Sequence, residues 1–478
     1  MSELLAGKTP QRQVVVAIID SGVDTAHVDL RANLWTNSKE IPGNKRDDDN
    51  DGYVDDVRGW NFIGGADGKN IEFDTFEITR EYARCHGKAA ASGAPPITDA
   101  ARCKEIDDDF AKERAKLESS LGNIREVAQI YSQIIPVLKR TANTDSLTAA
   151  RVRAIQSNDP MISRARQIYL QLDAQDASPP VVDEALKSVE GRLKFGLNPD
   201  FDPRPVVGDR YTDVNQRGYG NADVTGPDSK HGTHVAGIIG AVRGNNTGID
   251  GIAPNVRLMS IRTVPDGDER DKDVANAIRY AVDAGAHIIS MSFGKSNSPF
   301  KAAVDEAVKY ADSKGVLMVH AAGNEGEDLA SNKNFPTPMY TGGGRPTNWI
   351  EVGASSWKGG DALAAPFSNY GKAEVDVFAP GVDIYSTVPG SKYERESGTS
   401  MAAPVVSGIA ALLMSYFPNL TATDVRRIIV SSVSKHDQQV IKPGTDADKV
   451  PFNSLSVTGG IVNAYNAVKM AEERKTQP

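Results

Sequence analysis

The hydrophobic pattern of the chain changes character twice. A continuous apolar run over residues 14–19 ends at Asp20 and reads as a buried parallel strand with a carboxylate at its C-terminal end. After His231, helical and apolar segments alternate: a helix over 271–284, a strand over 286–291, a helix over 299–314 and a strand over 316–321. Helices over 400–416 and 421–432 follow. Strands alternating with helices of this length predict an α/β domain on a parallel sheet. Active sites in such sheets form at strand C-terminal ends, where Asp20, Ser292 and Asn324 all fall.

Between these blocks, over 99–198, the pattern is helical throughout. Leu117, Leu121, Ile124, Ala128, Tyr131, Ile135 and Leu138 recur at alternating four- and three-residue steps. That is a coiled-coil-like seam, which Pro136 should kink near its end. Shorter helical patterns follow at 147–155, 160–172 and 181–195, and the run Asn198-Pro199-Asp200-Phe201-Asp202-Pro203-Arg204-Pro205 marks the return. The expected organisation is an α/β domain over 1–75 and 199–478, interrupted by an α-helical hairpin or small bundle over 76–198. The seam needs a cover, either from its own following helices, from the α/β domain or from another chain. Because the insertion leaves and re-enters between Asp20 and His231, it is expected near the cleft, restricting large folded substrates.

Three reactive side chains sit among small residues. Ser400 lies in Gly398-Thr399-Ser400-Met401-Ala402-Ala403-Pro404, His231 in His231-Gly232-Thr233-His234-Val235-Ala236-Gly237, and Asp20 in Val16-Ala17-Ile18-Ile19-Asp20-Ser21-Gly22-Val23-Asp24. A serine hydroxyl is a weak nucleophile until a base takes its proton, and the base needs a third group to fix its tautomer. An isolated serine at a helix start is ordinarily a cap; the two partner motifs turn the reading toward chemistry.

With Ala321-Ala322-Gly323-Asn324-Glu325-Gly326 as a fourth match, the chain resembles the subtilisin-like serine proteases over roughly residues 10–65 and 200–470. The mechanism is inherited from that resemblance. It implies a subtilisin-like parallel sheet flanked by helices and a serine endopeptidase. Ser400 would attack the peptide carbonyl, His231 would serve as base and then acid, and Asp20 would orient the imidazole. Asn324 would donate to the oxyanion. Ser292, Phe293 and Gly294 would pair with an extended peptide, and together with Ala321, Ala322 and Gly323 would wall the side-chain pocket. Asn334 would lie near the pocket base. With no acid clearly placed there, broad, mainly apolar specificity is expected. His234 is read as a packing residue, and Asp24 and Asp29 as lying beyond the strand that holds the triad acid.

The resemblance also implies calcium. Asp29 matches a calcium-binding carboxylate whose partner loop corresponds to Gly244-Asn245-Asn246-Thr247-Gly248-Ile249, here of altered length. A second candidate is the acidic run Asp47-Asp48-Asp49-Asn50-Asp51-Gly52-Tyr53-Val54-Asp55-Asp56, in which alternating Asp47, Asp49 and Asp51 precede a glycine turn. An EF-hand would close with Glu where Arg58 stands, so Asp55 or Asp56 would have to close the site.

The remaining features bound the function. A formal charge of −9 over 478 residues argues against a nucleic-acid partner, and no apolar run approaches the ~20 residues of a membrane span. Polypeptides are the expected substrates. Cys85 and Cys103 either form a disulfide suited to an oxidising compartment or remain two thiols. No basic segment followed by a long apolar stretch precedes the first strand, so the chain is expected to be a trimmed secreted or periplasmic form, or else a cytoplasmic member. Two other functions share these residues: a peptide ligase or macrocyclase, in which helical shielding excludes water from the acyl-enzyme, and a non-catalytic peptide-binding scaffold.

Overall fold

The strands in chain order are β1 Val14–Asp20, β2 Gly59–Asn61, β3 Val256–Arg262, β4 Ile288–Met291, β5 Leu317–Ala321, β6 Trp349–Ser355 and β7 Val377–Pro380. They are followed by β8 Ile384–Val388, β9 Lys392–Glu396, β10 Ser434–Lys435, β11 Gln439–Ile441, β12 Lys449–Pro451 and β13 Gly460–Ile461. The helices are α1 Glu77–His86, α2 Ala100–Ala142, α3 Ala149–Ala154, α4 Pro160–Asp173, α5 Pro179–Gly191 and α6 Lys230–Gly240. Then come α7 Asp271–Asp283, α8 Lys301–Ser313, α9 Thr399–Tyr416, α10 Ala422–Ser431 and α11 Ala464–Lys475. This computed structural model describes residues 4–5, 7–175 and 177–475. It divides into two units: Met1–Glu77 with Pro203–Pro478, and Ile78–Asp202.

The first unit is a subtilisin-like α/β fold. Nine strands run in the order β10-β13-β7-β6-β5-β4-β1-β3-β2. Every pairing is parallel except the β10–β13 edge. β1 shows why the sheet is buried on both faces. Val14, Val16 and Ile18 enter one apolar cluster with residues of α6, α9, α10 and α11, while Ala17 and Ile19 enter another with α7 and α8. The period of two along a strand sends neighbours to opposite faces, so a continuous apolar run is what two covered faces require. The chain passes from β1 to β3 on one side and then to β4 on the other, so strand order reverses around β1. Such a switch point opens a crevice beyond the strand C-terminal ends.

α9 is apolar enough, by length and composition alone, to cross a membrane, with a mean hydropathy of 1.4. Since 83% of it is buried inside the fold, it reads as the core helix beneath the sheet. Its proline has a local consequence. Pro404 has no N–H for the carbonyl of Ser400 one turn earlier, and that carbonyl instead accepts the Ser292 hydroxyl at 3.0 Å.

In the second unit, Asp99 caps α2 by accepting from the N–H groups of Ala101 and Arg102, and Asn143 closes it in the left-handed conformation. α2 runs uninterrupted through Pro136 for 43 residues. Of the seam residues, Leu117, Tyr131 and Leu138 are buried, while Leu121, Ile124, Ala128 and Ile135 are half-buried. Ile134, outside the heptad reading, is buried as well. Tyr131, Ile134 and Leu138 share a cluster with Val152 of α3, Ala165 and Tyr169 of α4 and Val182 of α5. A disulfide between Cys85 and Cys103, 18 residues apart, ties α1 to α2.

Candidate active site

The carboxylate, imidazole and hydroxyl come from three elements, β1, α6 and α9, and small residues let the first two meet. Asp20 ends β1 and is 1% exposed; its Oδ1 accepts from the backbone N–H of Ser21 and meets His231 Nδ1 at 2.7 Å. α6 approaches β1 this closely because position 232 is glycine. A Cβ there would stand 2.1 Å from the Gly22 carbonyl oxygen. Arg262, buried and in register with Asp20 on β3, donates through Nε to the Ser21 carbonyl at 2.9 Å and steadies the turn after the carboxylate. Sequence reasoning missed this arginine because its partners, the Ser21 and Ile71 carbonyls and the Asn61 side chain, lie far from it in the chain.

Burial opposes charging of His231. The Asp20 carboxylate, by charge and hydrogen bond, outweighs it, with smaller contributions from Glu396 and Asp228, and pushes the imidazole up to about 9. His234 behaves differently. It is fully buried, its Nε2 lies 3.2 Å from the Glu394 carbonyl, and burial holds it below the ordinary histidine value. Asp24 accepts from the N–H groups of Ala26 and Gly390, so it belongs to the turn rather than to the imidazole.

Ser400 is the second residue of α9, after the cap position Gly398. Its hydroxyl donates to the Ser292 carbonyl at 3.2 Å. The Asn324 carbonyl oxygen accepts from the Thr399 N–H at 2.8 Å and the Thr399 hydroxyl at 3.0 Å, and that hydroxyl accepts from Gly323 N–H at 3.1 Å. With its oxygen engaged, Asn324 keeps its NH2 for a ligand. With the Thr399 N–H given to Asn324 and the Met401 N–H to the Gly398 carbonyl, the Ser400 N–H is the donor left at this helix start, where the helix dipole favours negative charge.

Ser292-Phe293-Gly294 follows β4 directly, and Ala321-Ala322-Gly323 begins on the last residue of β5. Asn334 bridges them, donating to the Ala321 carbonyl at 3.0 Å and standing where a Cβ on Gly294 would collide with its Oδ1 at 2.1 Å. Gly323 has φ +103, and a Cβ there would fall 2.3 Å from Asn369 Nδ2 and 2.7 Å from Glu325 Oε2. Glu325, the residue after Asn324, therefore places a carboxylate beside Gly323. Asn369 holds its carboxylate at 2.7 Å.

The acidic residues arrange themselves otherwise than expected. The Asp29 carboxylate is surrounded by donors: Asn245 Nδ2 at 2.7 Å, Ile249 N–H at 3.1 Å and the Tyr393 hydroxyl at 3.2 Å. Through these bonds Asp29 ties the loop over 244–249 to β9. Asp55 accepts from the backbone of Gly43, Asn44 and Lys45 and so pins a turn instead of closing a metal loop. Asp51 accepts from Tyr53 N–H; burial, with the charges of Asp49, Asp47 and Glu40, pushes it up to about 6. The group able to hold a cation among the described residues is Glu40, Asp47 and Asp49, with one oxygen of each within 4.8 Å of the others. Asp49 Oδ1 is buried without a hydrogen-bond partner. Glu40 lies outside the acidic run and carried no sequence signal.

The subtilase family model matches residues 11–449. Over 272 residues the chain is 39% identical to a thermophilic serine proteinase of Bacillus sp. (strain AK1), covering 57% of this chain and 58% of that relative. It is 38% identical over 240 residues to thermitase of Thermoactinomyces vulgaris, covering 50% of this chain and 75% of that relative. A solved protease from Pseudoalteromonas arctica PAMC 21717 aligns over 96% of this chain and 90% of its own, at 21% identity and a TM-score of 0.48. The match to the family model takes in all four motifs, and the chain belongs to the subtilase family of serine proteases.

Proposed function

We propose that the chain is a serine endopeptidase in which Ser400 attacks the peptide carbonyl. The observation that carries this is the 2.7 Å contact between buried Asp20 and His231 at the end of β1, next to β4, after which Ser292 exchanges hydrogen bonds with Ser400. Asp20 presents the imidazole with its proton on Nδ1, leaving Nε2 to take the serine proton and return it to the leaving amine. The Ser400 hydroxyl leaves the Ser292 carbonyl to do so. Asn324 and the Ser400 N–H stabilise the oxyanion. Ser292, Phe293 and Gly294 add the substrate as an extended strand, and Ala321, Ala322 and Gly323 form the opposite wall. Apolar side chains suit these walls, and Glu325 adds tolerance for a basic one. Incubation with a mixed peptide library, with and without a serine-directed covalent inhibitor, tests this reading. Inhibitor-sensitive hydrolysis products support it, cyclic or ligated products point to the ligase, and no reaction at Ser400 points to a scaffold.

Glu40, Asp47 and Asp49 fit a structural calcium. They are hard oxygen donors, and Asp49 contributes a buried oxygen without a hydrogen-bond partner. The ion would cross-link the loop after the first strand and take no part in the chemistry. A secreted or periplasmic site of action fits the Cys85–Cys103 disulfide. The helical unit, interposed in the chain between Asp20 and His231, is assigned the role of restricting large folded substrates.

A further inference from the structure

One position before the pocket wall, β5 carries a histidine that the mechanism does not use. His320 is fully buried, and both of its ring nitrogens face oxygen. Nδ1 lies 2.9 Å from Glu351 Oε1 on β6, and Nε2 lies 2.8 Å from the Phe293 backbone carbonyl. Glu351 is 1% exposed, and its second oxygen accepts from the indole N–H of buried Trp349 at 2.8 Å.

The hydrogens follow from the partners. A carbonyl only accepts, so Nε2 carries a proton. A second proton lies between Nδ1 and Oε1, because two bare lone pairs at that distance repel. The pair is thus a buried, fully bonded link from β6 through β5 to the backbone of the segment after β4. Buried charged pairs are seldom more stabilising than apolar residues of the same volume. Core stability therefore does not explain why one stands beneath this segment.

Along an extended segment, successive carbonyls point to opposite sides. The Ser292 carbonyl meets the Ser400 hydroxyl, and the Phe293 carbonyl points inward to His320. We propose that His320, oriented by Glu351, is a positioning residue that fixes Ser292, Phe293 and Gly294 as the edge on which an extended peptide pairs. It touches no reacting atom. The inference rests on the protease reading and concerns the binding of residues N-terminal to the cleaved bond.

The test compares two substrates, an extended tetrapeptide anilide that uses the edge and a small activated ester that does not. Enzyme concentrations are set by active-site titration with a serine-directed inhibitor. A protein that fails to titrate refutes the protease reading, separately from this one. His320→Leu and Glu351→Leu are expected to lower kcat/KM for the anilide about tenfold, mainly through KM, the worth of one or two hydrogen bonds. Ester turnover per titrated site stays unchanged. Glu351→Gln is expected to rescue, since its NH2 can donate to Nδ1 while its oxygen accepts from Trp349 and Nε2–H still reaches Phe293. An unchanged anilide-to-ester ratio in a leucine variant, or a Gln variant as impaired as the Leu variant, overturns the proposal. Should both leucine variants fail to fold, side-chain nitrogen spectra of the wild-type enzyme decide: a proton on Nε2 of His320 supports the link, and a bare Nε2 overturns it.

Discussion

Along β1, each of Val14, Val16, Ala17, Ile18 and Ile19 is buried, and the strand is shared between two cores. Along the 43 residues of α2, Ile106, Phe110, Leu117, Tyr131, Ile134 and Leu138 are buried and most others face water. The sheet unit also holds its polar site residues by bonds to one another: Asp20 to His231, Thr399 to Asn324, Glu351 to His320. The helical unit has one slender core and a surface of side-chain ion pairs such as Lys104–Asp108 and Arg114–Glu118, a kind worth little each. Dense, two-sided burial keeps reactive groups in place to a fraction of an ångström. Thin one-sided burial gives an element that can change without disturbing them.

The contrast breaks if substitutions in the two units have similar effects on chemistry. Ser400→Ala should remove peptide hydrolysis by on the order of 10⁶ in kcat, a size that comes from a subtilisin. Circular dichroism should be unaltered, since the cap position is Gly398. Activity within tenfold of the parent would exclude Ser400 as nucleophile. Asn324→Ala should cost about 10²–10³ in kcat with KM little changed, again a family value; a loss confined to KM would count against the oxyanion role.

The pH profile sharpens the comparison. The base must be neutral to act, and His231 is held protonated up to about 9, so kcat/KM should rise with pH through the alkaline range with an apparent pKa near 9. The linked stability has the opposite sign. A raised histidine pKa contributes stability that is complete below about 6.5 and lost as pH climbs through about 9. A profile already flat by pH 7 would show that solvent screens Asp20 more than its burial implies.

Leu138→Ala, in the core of the helical unit, should cost about 2–5 kcal/mol of that unit's stability while leaving peptide hydrolysis within twofold. Reduction of Cys85–Cys103 should act on the same unit, by about 3 kcal/mol. Calorimetry with parallel peptidase assays separates the two transitions; an equal loss of activity would unite the units. The smallest effect expected is from chelation, a drop of a few degrees in Tm reversed by calcium but poorly by magnesium, and absent in Asp49→Asn. Identical melting in excess chelator removes the calcium.

Much of this was legible in the sequence for a physical reason. Asp20, His231, Asn324 and Ser400 sit among residues kept small by close backbone approach, as at Gly232, so motif and geometry coincide. The apolar run at 14–19 could only be a strand covered on both sides. What stayed hidden depends on partners distant in the chain. β2 is three residues containing Gly59 and Asn61 and has no apolar signature. The β8–β9 hairpin carries no continuous apolar run: β8 buries Ser386, Thr387 and Val388, while β9 is polar and half-buried or exposed along its length. Glu40 joins Asp47 and Asp49 through folding of the loop, and His320 meets Phe293 and Glu351 only when β4, β5 and β6 align. Ile134 took a core place outside the heptad because α2 meets three helices, not one.

The position of β1 carries a consequence for how the molecule is made. Val14 pairs with Val256, and Val16 with Ile288, across the whole of the inserted unit. The earliest strand in the chain is an interior strand of the sheet, with β4 on one side and β3 on the other, so both neighbours must be synthesised and placed before it is enclosed. Loop closure over such separations is slow, and the transition state must assemble both flanks together. The same barrier stands against leaving the native state. Under the proposed peptidase activity, survival beside active copies of the chain then depends on the rate of unfolding more than on equilibrium stability.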